Sequence, residues 1–258
     1  MSETDIRGRF LWYELMTKDP KGAQTFYASV VGWGLQPYND LGMPYVTFTR
    51  GGTPIAGCMQ LPDDAVKMGA PPHWLAYIGT PDVDMTTSQA IGLGARTYVA
   101  PQDIPKVGRF SVLADPQGAT IAFYTPSNEQ PPSHAPEVGD FSWHELATTD
   151  PGSAFEFYRT LAGWEKTGEH DMGPMGIYQM YGRTGQTFGG MFRKPAEMPA
   201  PPHWLMYIRV PDVRVGADAV KANGGQVLHG PVEVPGGDWI VQCMDPQGAV
   251  FSLHQRAA

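Results

Sequence analysis

The sequence predicts an α+β fold made by tandem duplication, with two βαβββ modules in each half of the chain and four in all. The first observation is an internal repeat, because segments of the first half recur 130 or 131 residues later in the 258-residue chain. The second is the order of strand-like and helix-like periodicities, which is repeated twice within each half. A Pro-rich polar stretch between the halves is typical of an extended linker.

Four pairs of matching segments carry the repeat. They are residues 10–20 with 141–151, 26–33 with 157–164, 70–78 with 200–208, and 115–119 with 245–249. The nearly constant offset leaves room for almost no insertion between these segments. We therefore predict a first domain over residues 1–125, a linker over 126–140 and a second domain over 141–258.

The first module opens with alternating side chains over residues 10–17, which is typical of a strand. Asp19 and Pro20 then provide an N-cap and a proline at the first helical position. The helix is expected to end at Gly32, with an apolar face formed by Ala23, Phe26, Tyr27, Val30 and Val31. Short strands are expected after it near residues 33–38, 43–50 and 54–61, the last two joined by a hairpin turn at 50–53.

The same order restarts in the second module. A strand over residues 73–79 leads to Pro81 and Asp82, which begin a helix expected to reach about Leu93 and to end at Gly94. Strands follow near residues 95–99 and 109–114, then an Asp-Pro-Gln-Gly turn at 115–118 and a last strand at 119–125. The second half of the chain repeats both modules.

Composition excludes several classes of protein. Hydrophobic residues make up 42% of the chain and charged residues 17%, which is enough apolar side chain for packed cores. Lys and Arg number 18 against 26 Asp and Glu, and the net charge of −8 argues against partners that need a basic surface, namely nucleic acids and anionic membranes. No apolar run has the length of about 20 residues that a membrane-spanning helix needs.

Two further features bear on the compartment and the partners. The polar, acidic segment at residues 1–5 does not resemble a secretory signal. Cys58 and Cys243 are too few for a disulfide framework and lack the spacing of a metal site. We expect a cytoplasmic protein, a monomer or a homodimer, whose partner is a small-molecule ligand or substrate and neither nucleic acid nor membrane.

Two motifs resemble the vicinal oxygen chelate superfamily, the group of glyoxalase I, bleomycin-resistance proteins and extradiol dioxygenases. They are Phe-Tyr with Gly-Trp at residues 26–33, and Asp-Pro-Gln-Gly ahead of a final strand. The Trp-x-Glu-Leu opening and the Pro-Pro-His-Trp-Leu-x-Tyr strand are most similar to a tandem-domain bacterial branch. The resemblance covers residues 8–256 and implies two glyoxalase/bleomycin-resistance-like domains, in which paired modules form a half-barrel with the ligand on its concave face.

The resemblance also locates the metal ligands of the metal-dependent members, on the first and last strands of each module. In this sequence those positions hold Trp12 and Trp143, residues 57–59 and 190–191, Leu75 and Leu205, and Ala122 and Ser252. A divalent ion prefers imidazole nitrogen or carboxylate oxygen. We therefore expect the usual chelate to be lost and no cofactor to be bound. The alternative is a displaced Fe, Ni, Zn or Mn ion at Glu145, His203 and His254.

Polar groups remain two residues away from the lost ligands, on the same strand faces. Glu14 and Glu145 are the candidate catalytic residues, since a carboxyl group buried beside Trp can act as a general base; the alternative is a structural carboxylate. We expect the first and last strands of a module to pair antiparallel, which places His203 opposite His254 and His73 opposite Tyr124. The candidate ligand-binding residues are Trp12, His73, Tyr77, Tyr124, Trp143, His203, Tyr207 and His254.

Three functional hypotheses follow. The first is a small-molecule binding protein with degenerate metal positions, which holds a metabolite or drug in concave, aromatic-lined clefts. The second is a lyase, an isomerase or a hydroxylase-like enzyme of the same superfamily, with Glu14 or Glu145 as base or with a metal at His203, His254 and Glu145. The third is that one half is a degenerate copy kept for packing and that the second half alone carries the function.

Overall fold

The computed structural model describes residues 5–130 and 134–257. Residues 1–4 of the acidic N-terminal segment, and residues 131–133 of the expected linker, lie outside the described residues. The first half contains β1 (Phe10–Thr17), α1 (Pro20–Val31), β2 (Gly34–Pro37), β3 (Val46–Arg50), β4 (Thr53–Gln60), α2 (Asp63–Lys67), β5 (His73–Gly79), α3 (Val83–Gly92), β6 (Arg96–Ile104), β7 (Gly108–Ala114) and β8 (Thr120–Pro126).

The second half repeats this order except for the short helix after the fourth strand. It contains β9 (Phe141–Thr148), α4 (Pro151–Ala162), β10 (Glu165–Asp171), a 3₁₀ turn (Gly173–Met175), β11 (Ile177–Arg183), β12 (Gln186–Arg193), β13 (His203–Arg209), α5 (Val213–Ala222), β14 (Gln226–Glu233), β15 (Trp239–Met244) and β16 (Val250–Gln255). The predicted α+β fold with four βαβββ modules is confirmed, and α2 is an addition that the periodicity analysis did not predict.

The strands form two open eight-stranded sheets with the same topology. The first has the order β2-β3-β4-β1-β5-β8-β7-β6 and the second β10-β11-β12-β9-β13-β16-β15-β14. In the first sheet β1 and β4 run parallel, with Glu14 opposite Gly57. In the second, β9 and β12 run parallel, with Glu145 opposite Gly190. Neither sheet closes into a barrel, because each ends in an unpaired edge strand.

The expected antiparallel pairing of first and last strands is wrong. β5 and β8 run parallel with Gly79 opposite Tyr124, and β13 and β16 run parallel with Arg209 opposite His254. A helical crossover joins strands of the same direction, and the two hairpins that follow it reverse the chain twice, so the last strand returns to the direction of the first. His73 is therefore not the strand partner of Tyr124, and His203 is not the partner of His254.

The described residues group into two compact units that alternate along the chain. The first unit contains Met1–Leu11, Ala76–His134 and Trp143–Trp204, and the second contains Trp12–Leu75, Ala135–Ser142 and Leu205–Ala258, each taken over its described residues. Each unit therefore combines sequence from both repeats. The domain boundaries given above stay a prediction about the sequence duplication.

The core of the second unit is organised by a buried tyrosine. Trp74 Nε1 donates to the Tyr27 hydroxyl at 2.9 Å, and that hydroxyl donates to Asp245 Oδ2 at 3.2 Å. The other oxygen of Asp245 accepts three backbone N–H groups of its Asp-Pro-Gln-Gly turn, at residues 247–249. Because the buried tyrosine and tryptophan are each hydrogen-bonded, the large apolar area they remove from water is buried without an unpaired polar group.

The first unit contains the matching arrangement with the repeats exchanged. Trp204 Nε1 donates to the Tyr158 hydroxyl at 3.2 Å, which donates to Asp115 Oδ2 at 3.0 Å. Asp115 in turn accepts the backbone N–H groups of residues 117–119. The aspartate of each repeat thus holds the tyrosine of the other repeat, so the two motifs that carry the sequence resemblance have a structural role.

Candidate functional site

Three side chains of the second unit, two of them on β1, are joined by hydrogen bonds. Trp12 and Glu14 are two residues apart on β1, so their side chains project from the same face of the sheet. Tyr45 comes directly before β3 and lies between them. Trp12 Nε1 donates to the Tyr45 hydroxyl at 3.3 Å, and the hydroxyl donates to Glu14 Oε2 at 2.8 Å.

The first unit contains the same series of hydrogen bonds, made by residues of the second repeat. Trp143 Nε1 donates to the Tyr178 hydroxyl at 2.8 Å, and this hydroxyl donates to Glu145 Oε2 at 2.9 Å. We call the two sets, Trp12–Tyr45–Glu14 and Trp143–Tyr178–Glu145, the Trp–Tyr–Glu triads. Two of the three members were predicted in each repeat, and the tyrosines were missed.

A sequence signal for the missed tyrosines does exist. Tyr45 precedes Gly57 by the same number of residues as Tyr178 precedes Gly190, although the repeat offset in this region is 133 rather than 130 or 131. The local insertion takes these residues out of the alignment that the flanking motifs define. Only the paired spacing of tyrosine and glycine could have identified them.

The two glycines are required by the close approach of the tyrosine rings. A Cβ at Gly57 would overlap the phenol oxygen of Tyr45 and lie 2.5 Å from Glu14 Oε1. A Cβ at Gly190 would overlap the ring of Tyr178 and lie 2.5 Å from its hydroxyl oxygen. Each phenol therefore fills the space that a side chain would occupy on the strand next to the glutamate.

The carboxyl group of Glu14 is almost wholly withdrawn from water. Its residue is 5% exposed, and Oε1 has no hydrogen-bond partner among the described residues. Burial raises the pKa of Glu14 to about 8, although the hydrogen bonds from Tyr45 and Trp12 act in the opposite direction. At neutral pH the carboxyl is therefore protonated, and the unpartnered oxygen can donate or accept one hydrogen bond. Glu145 is only half-buried, so the two triads differ in their exposure to water.

The other predicted ligand-binding residues have local partners. His73 Nδ1 lies 2.7 Å from the carbonyl oxygen of Pro71, and His203 Nδ1 lies 2.8 Å from that of Pro201. The Tyr124 hydroxyl donates to the Val107 carbonyl at 2.9 Å. Tyr77 packs its ring against those of Tyr124 and Phe110, and Tyr207 is buried, at 4% exposed.

His254 is hydrogen-bonded through both ring nitrogens. Nδ1 lies 2.8 Å from Ser142 Oγ, and Nε2 lies 2.8 Å from Asp238 Oδ2. The side chain is buried, and burial lowers its pKa in spite of the neighbouring carboxylate. His254 is therefore neutral at pH 7 and has no lone pair directed at solvent.

Two family models match the chain, one in each repeat. A model described as "Glyoxalase-like domain" matches residues 12–123, and one described as "Glyoxalase/Bleomycin resistance protein/Dioxygenase superfamily" matches residues 140–253. The Mycobacterium tuberculosis protein named "Putative glyoxylase CFP32" is 31% identical over 95% of this chain and 94% of its own length. The chain belongs to the glyoxalase/bleomycin resistance protein/dioxygenase superfamily.

Other known proteins are similar to this chain in sequence or in fold. The anthracycline biosynthesis protein DauV of Streptomyces sp. strain C5 is 28% identical over 94% of this chain and 91% of its own length. The Mn(II)-bound glyoxalase of Novosphingobium aromaticivorans superposes with a TM-score of 0.61 at 15% identity, over 98% of this chain and 83% of that one. The 2,3-dioxygenase LapB of Pseudomonas sp. KL28 has a TM-score of 0.65 at 11% identity, over 98% of this chain and 94% of that one.

The side chains present do not provide the ligands for the metal ion that metal-dependent members of the superfamily bind. Within residues 5–130 and 134–257, no three His, Cys, Asp or Glu side chains come together as a metal site would require. The alternative set of Glu145, His203 and His254 is therefore not assembled. At the position of Gly57 a phenol fills the space that a ligand would need.

Within the described part of the chain, no helix has the length and apolar character needed to cross a membrane.

Proposed function

We propose that the protein binds a small aromatic metabolite or drug at the Trp–Tyr–Glu triads, without a metal ion. The observation that carries the proposal is that both repeats build the same triad, with Trp and Glu on the first strand of a module and Tyr in or directly before its third strand, although the intervening sequence has changed length. An indole, a phenol and a carboxyl group in one hydrogen-bonded chain provide an aromatic surface with one or two polar groups, which is the usual composition of a small-molecule site.

The protonation of Glu14 favours a neutral ligand. A protonated carboxyl donates a hydrogen bond, so its natural partner is a carbonyl or quinone oxygen, whereas a cation would need the ionised form. The flat ring of such a ligand can lie on the indole of Trp12. Relatives named for anthracycline biosynthesis support this class, because anthracyclines are polycyclic aromatic quinones.

The test is isothermal calorimetry with a panel of hydroxylated naphthoquinones and anthraquinones. Glu14→Gln keeps a neutral hydrogen-bond donor of the same shape, so binding should persist, whereas Glu14→Leu should weaken binding at least roughly tenfold. Trp239→Phe is the control outside the triads and should bind as the unmodified protein does. Equal affinity of the Leu variant, or no binding of any quinone, would contradict the proposal.

A second candidate function is an isomerase or a lyase that moves a proton next to a carbonyl group. The observation that favours it is the unpartnered Oε1 of Glu14, a buried proton carrier whose pKa lies close to working pH. Glu14→Gln separates the two functions. An enzyme of this kind loses turnover in the Gln variant while it still binds, whereas a binding protein has no turnover to lose.

A further inference from the structure

A serine, a histidine and an aspartate, none of them a member of the Trp–Tyr–Glu triads, form a second series of hydrogen bonds. Ser142 is the second residue of β9, His254 lies near the end of β16, and Asp238 comes directly before β15; all three belong to the second unit. The distances are 2.8 Å from Ser142 Oγ to His254 Nδ1, and 2.8 Å from His254 Nε2 to Asp238 Oδ2.

The carboxylate of Asp238 determines which nitrogen carries the proton. Burial raises the pKa of Asp238, but hydrogen bonds from the Ala257 backbone N–H and from His254 outweigh it, so the net shift is downward. An ionised carboxylate only accepts hydrogen bonds, so Nε2 bears the hydrogen and Nδ1 bears the lone pair. Ser142 must then donate its hydroxyl proton to Nδ1.

The geometry points to Ser142 as a nucleophile activated by His254 and oriented by Asp238, and we propose that it takes an acyl group from a small activated ester. As Oγ forms a bond to the ester carbonyl carbon, its proton passes to Nδ1; the bond to the leaving oxygen then breaks, and that oxygen takes the proton. Water, deprotonated by His254, attacks the acyl-serine and releases a carboxylic acid, and the proton returns to Oγ. The roles are those of a Ser–His–Asp triad with the two ring nitrogens exchanged.

The first repeat shows that the fold does not need these three residues. Leu11, Gly108 and Tyr124 stand at the corresponding positions, and Tyr124 donates its hydroxyl to a backbone carbonyl instead. The same strands therefore pair without serine, histidine or aspartate. Ser142 also lies 3.4 Å from the Tyr207 carbonyl oxygen, but this contact is much longer than the one to His254. Ser142 is half-buried rather than enclosed, so part of the residue is in contact with solvent.

The test is covalent labelling of the full chain with a fluorophosphonate, followed by peptide mass spectrometry. We expect one label per chain on Ser142, and none in Ser142→Ala. Asp238→Asn can present its amide N–H to the ring and reverse the tautomer, and should slow labelling at least roughly a hundredfold. Ser153 is the internal control, because its hydroxyl is bonded to the Asp150 carboxylate with no histidine, and its peptide should stay unlabelled.

Further readouts separate a nucleophile from a structural serine. The labelling rate should fall on acidification as His254 takes up a proton, at a pH below the usual range of histidine, since burial lowers the pKa of His254. Thr25→Ala, at an exposed position of α1, should label at the unmodified rate, because Thr25 belongs neither to the Trp–Tyr–Glu triads nor to the Ser142, His254 and Asp238 group. A folded protein that takes no label, label at another residue, or an Asp238→Asn variant that labels at the original rate would overturn the proposal.

Discussion

Replacing Gly57 by alanine is the most direct test of the triad geometry. The added Cβ would overlap the phenol oxygen of Tyr45, so the ring has to leave its position, and both of its hydrogen bonds break. Overpacking of this kind costs about 1–3 kcal/mol, and two neutral hydrogen bonds contribute about 1 kcal/mol each. Alanine in place of glycine returns about 0.5–1 kcal/mol through the unfolded chain. We expect the free energy of unfolding to fall by about 2–4 kcal/mol.

The assay is urea unfolding followed by far-UV circular dichroism, together with the quinone titration. Gly92→Ala is the matched control, because nothing lies within 4 Å of its Cβ position and it belongs to helix α3. This control should be neutral or stabilising by up to about 1 kcal/mol. In a Tyr45→Val background Gly57→Ala should cost less, since the colliding ring is gone and only the close contact with Glu14 Oε1 remains, and the double-mutant cycle isolates the contact with the ring. A loss of less than about 0.5 kcal/mol from Gly57→Ala alone would refute the reasoning.

Three further predictions concern protonation, the core and metal content. Between pH 4.5 and about 8, Glu14 holds a proton in the folded protein but not in the unfolded chain. The free energy of unfolding should therefore fall as the pH rises through this window, by at most about 1.4 kcal/mol per pH unit. Glu14→Gln should flatten the slope of the urea midpoint against pH. Tyr27→Phe and Tyr158→Phe each remove a buried hydroxyl that links a tryptophan to an aspartate, and each should lower the free energy of unfolding by about 1–3 kcal/mol. Tyr98→Phe should change it little, because the half-buried Tyr98 loses only an exposed hydrogen bond with Arg96. Elemental analysis of untagged protein purified without chelators should find only trace metal; about one equivalent of Fe, Ni, Zn or Mn per chain would contradict the metal-free proposal.

Local backbone chemistry made the elements of each module predictable. Asp19 caps α1 by accepting the N–H of Gly22, Pro20 is its first residue, and Gly32 ends it in the left-handed conformation, as the sequence predicts. The hairpin between β3 and β4 turns through Gly51 and Gly52, which both have positive φ. These features depend on residues close together in the chain, so a single sequence is enough to identify them.

Contacts between distant segments were not predictable in the same way. The parallel direction of β5 and β8 follows from the predicted βαβββ order, but the pairs of residues that lie opposite each other do not, because the alternation of side chains along a strand carries no information about register. The hydrogen bonds of Tyr45 and Tyr178 join a loop or strand to another strand more than thirty residues away. Glu14 and Glu145 could be selected as polar groups on an apolar face, but their partners could not.

Glu14 is protonated, and its site lacks the ligands for a metal ion, for the same physical reason. A buried carboxyl group stays ionised only beside a cation or several strong donors, because the protein interior does not solvate its charge. In the second unit the donors next to Glu14 are neutral, a phenol and an indole, and the neighbouring strand carries glycine in place of a ligand. A proton therefore neutralises the carboxyl, as a divalent cation would in a metal site. If the site were converted to bind metal, for example by Tyr45→His, the pKa of Glu14 should fall when the metal binds. Titration of one proton released per metal bound, absent in the Glu14→Gln form of that variant, would measure this exchange.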